Sequence, residues 1–173
     1  MLDIKRNARR WFALIIAVIL YFTIHEGAHA IYALMIGEFK AIHFLGLGIQ
    51  VDVYREAMTD FQLGMFCLVG NVATLVGGYI MCLVKNKIVK NKSLLFRAIC
   101  YYLTLILLLM DSAYLMILYH FVGGGDMNGI MLLLPETGVQ MISGLLLAFH
   151  TVIWFRYVLP CYSDAYQKIE GVY

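Results

Sequence analysis

Charge is scarce in this chain. Only 14% of its 173 residues are Asp, Glu, Lys or Arg, whereas soluble domains carry roughly 25%. A water-facing surface of ordinary size cannot be built from so few charges. The net charge of +2 and the lack of any extended basic tract give no indication of nucleic-acid binding. Cysteine offers no framework either: Cys67, Cys82, Cys100 and Cys161 show no CxxC spacing, and three of them fall in apolar runs. That pattern suggests neither a disulfide scaffold nor a thiolate metal site, and the four read as small hydrophobes. No internal repeat and no low-complexity segment is present. Basic residues are absent from the stretch between about 122 and 139, and this absence bears on orientation.

What the chain has in abundance is apolar residue: 62% of it, with a mean hydropathy of +0.81. The expectation is an all-α polytopic membrane protein forming a single domain over residues 1–173, with no separate soluble domain. Four apolar blocks run at about 11–36, 61–84, 94–122 and 139–159, the last ending at Pro160. Each of the first two spans a hydrocarbon core of ~30 Å at ~1.5 Å per residue. The third is longer than a span needs, which implies tilt or projection from the bilayer. Between the first two blocks, Phe39 to Tyr54 holds β-branched and aromatic residues broken by Gly46 and Gly48. It reads as a short membrane-associated β hairpin whose edges protein must cover.

Lys5, Arg6, Arg9 and Arg10 precede the first block, and Lys85, Lys87, Lys90, Lys92 and Arg97 surround the linker between the second and third. The positive-inside rule then puts both termini in the cytoplasm, in an integral multi-pass protein of a bacterial-type cytoplasmic membrane, with Gly37 to Asp60 on the far side. A basic cluster before an apolar run also describes a secretory signal, and Ala28-His29-Ala30 imitates a cleavage site. The apolar character continues through Ile36, however, and the run holds His25 and Glu26, so block one is read as a retained span.

His25-Glu26-Gly27-Ala28-His29 has the HExxH spacing of zinc proteases. Two imidazoles four apart share one helix face and can bind one Zn²⁺, while the adjacent glutamate can act as general base. A chance match is on the order of one in a few hundred for this composition. Ionisable groups at the centre of a span cost roughly 2.5–3.5 kcal/mol each, and a metal ion compensates that cost. A catalytic zinc normally takes three protein ligands, so a third must come from elsewhere. Asp111, inside the third span, lies about 25 Å up its helix, level with the histidines at about 21 to 27 Å, and ideal-helix depth favours it. Asp126, in Gly123-Gly124-Gly125-Asp126-Met127-Asn128-Gly129, must fold back inward to reach them.

In order along the chain, His25 to His29, the β segment Phe39 to Tyr54, Gly70-Asn71, and Gly125-Asp126 leading to Glu136-Thr137-Gly138-Val139 resemble the site-2 protease family of intramembrane zinc metalloproteases, in particular a compact bacterial branch. The resemblance covers most of the chain. It implies Zn²⁺ held by His25, His29 and Asp126 in preference to Asp111, Glu26 as the catalytic base, Asn71 as a substrate-binding residue, and hydrolysis of a peptide bond within or near the membrane segment of a protein or hydrophobic peptide. The chain departs from better-known members in that Met127 and Asn128 follow Asp126 and no proline precedes Asn71.

Other polar residues have plainer readings. His43, His120 and His150 are isolated, Asp111 can orient a ligand histidine, and Gly77-Gly78 permits close helix approach. Three rival functions stand beside this one. A catalytically inactive protein of the same fold, acting in binding or transport, has no need of Glu26. A tethered protease of another type would use Glu136 as third ligand but needs a soluble cleft. A diiron desaturase needs several further histidine pairs, and 5 histidines with one close pair do not supply them.

Overall fold

The structure is a computed structural model that describes residues 2–45 and 48–170. Among these residues, four helices are long and apolar enough to cross a membrane, and the chain is a multi-pass, all-α membrane protein with one short hairpin. Helix α1 (Leu2–Ile36) ends where Gly37 takes a φ of 82°, a left-handed position that glycine adopts without strain. There the Glu38 N–H returns to the Ala33 carbonyl at 2.9 Å.

The chain then forms β1 (Phe39–Leu45) and β2 (Gly48–Val53), paired antiparallel with Ile42 opposite Val51. This is the expected hairpin; Gly46, one of its two expected breaks, lies outside the described residues. A single 3₁₀ turn, Arg55–Ala57, leads to α2 (Asp60–Ile88). The start of α2 is written in the sequence: the Thr59 hydroxyl accepts from the Gln62 N–H, and the Gln62 side chain accepts from the Thr59 N–H. Lys85 and Lys87 in its last turn complement the helix dipole.

The third span comprises α3 (Leu94–Ala113), capped by Ser93, a π-helical stretch Tyr114–Leu118, and α4 (Tyr119–Val122). Its extra length is therefore partly absorbed in a wide turn, where the Tyr119 N–H bonds the carbonyl of Tyr114, five residues back. Gly123 (φ 95°) reverses the chain, α5 (Gly125–Ile130) turns back against α2, and Pro135 precedes α6 (Glu136–Ile153).

The fourth span does not stop at Pro160 as its sequence suggests. It passes through a π-helical stretch, Trp154–Val158, into α7 (Leu159–Glu170). Proline lacks an N–H and crowds the carbonyl four residues back. The wide turn has already shifted the ladder, with the Leu159 N–H on the Trp154 carbonyl, so the ring is accommodated and the helix continues.

Helices α1, α2 and α3 pack on one another. One apolar cluster, including Ala33, Val51, Phe66, Met127 and Ile130, joins α1, β2, α2 and α5. A second, including Ile88, Leu108, Trp154 and Tyr162, ties α2 and α3 to the fourth span. Lys85 lies 4.5 Å over the Tyr157 ring and adds a cation–π contact there.

Candidate metal centre

Helical spacing puts Tyr21, His25 and His29 on one face of α1, all buried. They meet α2 at Gly70. A Cβ built there would lie 2.6 Å from His29 Nε2 and 2.8 Å from His25 Nε2, so only a residue without a side chain leaves this space open. On the same side, α5 delivers Asp126. Its Oδ2 is 2.9 Å from His25 Nε2 and its Oδ1 is 3.6 Å from His29 Nε2. One ligand atom from each of His25, His29 and Asp126 lies within 4.8 Å of the others. The donor set of two imidazole nitrogens and one carboxylate suits zinc, and the side-chain-free hollow at Gly70 is the room such an ion needs. Burial alone would raise the Asp126 carboxyl, but hydrogen bonds and charge from His25 and His29 hold it well below the usual carboxylate range.

The reversal at Gly123 explains why Asp126 reaches the histidines although ideal-helix depth favours Asp111. The turn carries α5 back along α2, where Gly129 packs directly against the Cys67 side chain. Asp111 sits on the opposite side of the His25 ring, its Oδ1 3.5 Å from Nδ1. It is fully enclosed and accepts hydrogen bonds from the Tyr21 and Thr74 hydroxyls. The buried His25 Nδ1 has no other polar neighbour. A proton on Nδ1 faces the Asp111 carboxylate, and Nε2 is the nitrogen turned to Asp126 and the Gly70 hollow, where its lone pair would be offered to an ion. The second histidine is oriented in the same sense: a carbonyl can only accept, so His29 Nδ1–H donates to the Phe66 carbonyl at 2.6 Å and Nε2 is the nitrogen turned to Asp126 and the hollow.

Glu26 is half-buried beside the cluster, and its Oε2 accepts the Val51 N–H at 3.1 Å. That N–H belongs to β2, so the edge of the hairpin turned away from β1 borders the site. Together Glu26, His29, Asp126, Val51, Arg55 and Tyr114 line much of a cleft of about 390 Å³. The exposed Arg55 places a guanidinium at this cleft.

Asn71 faces elsewhere. Consecutive helical residues are about 100° apart, and with Gly70 toward the histidines, Asn71 lines a separate cavity of about 180 Å³ between α2, α3 and α6. Its Nδ2 donates to the Cys67 carbonyl at 3.1 Å. The other histidines also stand apart. His43 is exposed, 3.4 Å from Asp52; His120 is exposed and stacks on Tyr119; His150 is enclosed and bonds the Tyr79 hydroxyl at 2.6 Å. Glu136 accepts from the Tyr119 hydroxyl.

Thr74, the Phe66 carbonyl and the Val51 N–H are not legible in the sequence, because each reaches the site through long-range packing; Gly70 was visible beside Asn71, but its approach to the histidines was not. Tyr21 carried a usable signal, one helical repeat before His25. Comparison with known proteins finds no matching family model, no matching curated protein and no matching solved structure.

Proposed function

We propose that this chain is an intramembrane zinc metalloendopeptidase, as its resemblance to the site-2 protease family implies, cleaving a peptide bond in or near the membrane segment of a protein or hydrophobic peptide. The observation that carries the reading is the convergence of His25 Nε2, His29 Nε2 and the Asp126 carboxylate within 4.8 Å, around the hollow left by Gly70. A zinc ion held by these three residues supplies Lewis acidity toward a water and the scissile carbonyl. Glu26, bordering the same cleft, takes the proton from the attacking water and returns it to the leaving amine. Asp111 and the Phe66 carbonyl face the Nδ1 atoms of His25 and His29, which leaves both Nε2 atoms on the side of the hollow where a zinc ion would be held. The free edge of β2 binds the substrate as an added strand, which exposes a peptide bond that a helix would cover. In that state the Val51 N–H passes from Glu26 to the substrate backbone, and Glu26 is released to act as base.

The test compares wild type with Glu26→Gln in native membranes. A truncated membrane protein or peptide present in wild type and absent in Glu26→Gln supports the proposal. Unchanged processing with zinc still bound points instead to an inactive binding or transport role.

The proposed orientation has both termini in the cytoplasm of a bacterial-type membrane, following the basic residues before α1 and around the α2–α3 linker. An impermeant maleimide applied to intact cells should label Glu56→Cys and spare Asn91→Cys, both at exposed positions. The opposite pattern would invert the topology.

A further inference from the structure

Far from the metal centre, at the other end of α1, Arg6, Arg9 and Arg10 occupy i, i+3 and i+4 and so share one helix face. That face does not simply look into water. The three arginines line a cavity of about 360 Å³ whose other walls include Tyr102 of α3 and Ser163 and Tyr166 of α7. Among the residues whose side chains are described, no carboxylate lines it and none pairs with Arg9 or Arg10. Arg97, almost fully buried beneath, adds positive charge near Tyr166. Topology requires only that basic residues lie on one side of the membrane; it does not require like charges converging between helices, where they repel. An adjoining hollow of about 340 Å³ shares Arg10 and Tyr102 and adds Trp11 and Leu14, so the polar cavity opens toward apolar surface at the start of the span.

We propose that this paired cavity binds an anionic phospholipid. Arg9 and Arg10 take the phosphate, the Ser163 and Tyr166 hydroxyls donate to the headgroup, and the hollow at Trp11 and Leu14 receives the start of the acyl region. Guanidinium forks match phosphate oxygens, and basic pockets between spans at the cytoplasmic surface suit such headgroups. Bound lipid would tie α1, α3 and α7 together at the end where the fourth span joins the bundle.

The test is native mass spectrometry and thermal melting of the full purified chain, delipidated and then given phosphatidylglycerol, phosphatidylcholine or inorganic phosphate. The site predicts retention of phosphatidylglycerol, stripping of phosphatidylcholine and a higher melting temperature with phosphatidylglycerol alone. Arg9→Gln/Arg10→Gln should cut phosphatidylglycerol occupancy roughly tenfold or more. Arg9→Lys/Arg10→Lys, which keeps the charge but not the fork, should hold an occupancy between those of wild type and Arg9→Gln/Arg10→Gln. Lys87→Gln/Lys90→Gln removes the same charge from exposed positions at the same end and should change nothing. Equal retention of both lipids, equal loss in the two Gln pairs, or undiminished occupancy in Arg9→Gln/Arg10→Gln would overturn the proposal. Inorganic phosphate raising the melting temperature as far as phosphatidylglycerol would overturn the lipid assignment.

Discussion

A methyl group at position 70 would meet His29 Nε2 at 2.6 Å and His25 Nε2 at 2.8 Å, whereas one at Gly77 meets only the Leu107 side chain at 3.5 Å. Alanine favours a helix over glycine by roughly 1 kcal/mol, so Gly70→Ala should leave α2 formed while zinc content falls to background, and Gly77→Ala should keep its zinc. Metal analysis of both proteins checks this. Asp111 makes a different prediction, because it faces His25 Nδ1 at 3.5 Å and not the hollow. Asp111→Asn keeps the volume and removes the charge, and should weaken zinc binding by about 10- to 100-fold without abolishing it, measured by competition with a chelator. The two aspartates mark what a single residue tells from sequence. Both are visible as acids out of place in apolar surroundings, but which one faces Nε2 depends on a chain reversal at Gly123 that no local pattern of Asp126 encodes.

Elements decide how much of the site each residue can reach. HExxH is legible because its three functional positions lie on one helix, where spacing fixes the face. The hairpin was legible from its β-branched residues and glycines, yet its relation to Glu26 was not, since a backbone N–H carries no sequence signal. Val51 spends its N–H on Glu26 and not on β1. Val51→Pro should therefore leave the β1–β2 ladder intact and zinc in place, yet lower cleavage at least tenfold if the edge of β2 receives substrate. Cleavage at the wild-type rate, scored by gel shift of the processed product, would remove the hairpin from the mechanism. The extension of the fourth span through Pro160 was hidden for a related reason: the π-helical stretch at Trp154–Val158 that accommodates the ring is a property of the helix in its packed setting.

Across the whole molecule, composition alone foretold four spans and a polytopic fold, because 62% apolar content leaves few other ways to satisfy the backbone. The span limits moved outward at the first, second and fourth helices, to Ile4–Ile36, Asp60–Ile88 and Glu136–Tyr166, where helices continue past the apolar stretch. The site draws on α1, α2, α3, α5 and β2, elements that only the complete fold assembles, so metal binding serves as a test of the entire arrangement. The most direct measurement is metal stoichiometry on the purified full chain, wild type beside His25→Ala. About one zinc per chain, lost in His25→Ala, is the expected result. Two irons per chain, no metal in wild type, or zinc retained in His25→Ala would contradict it.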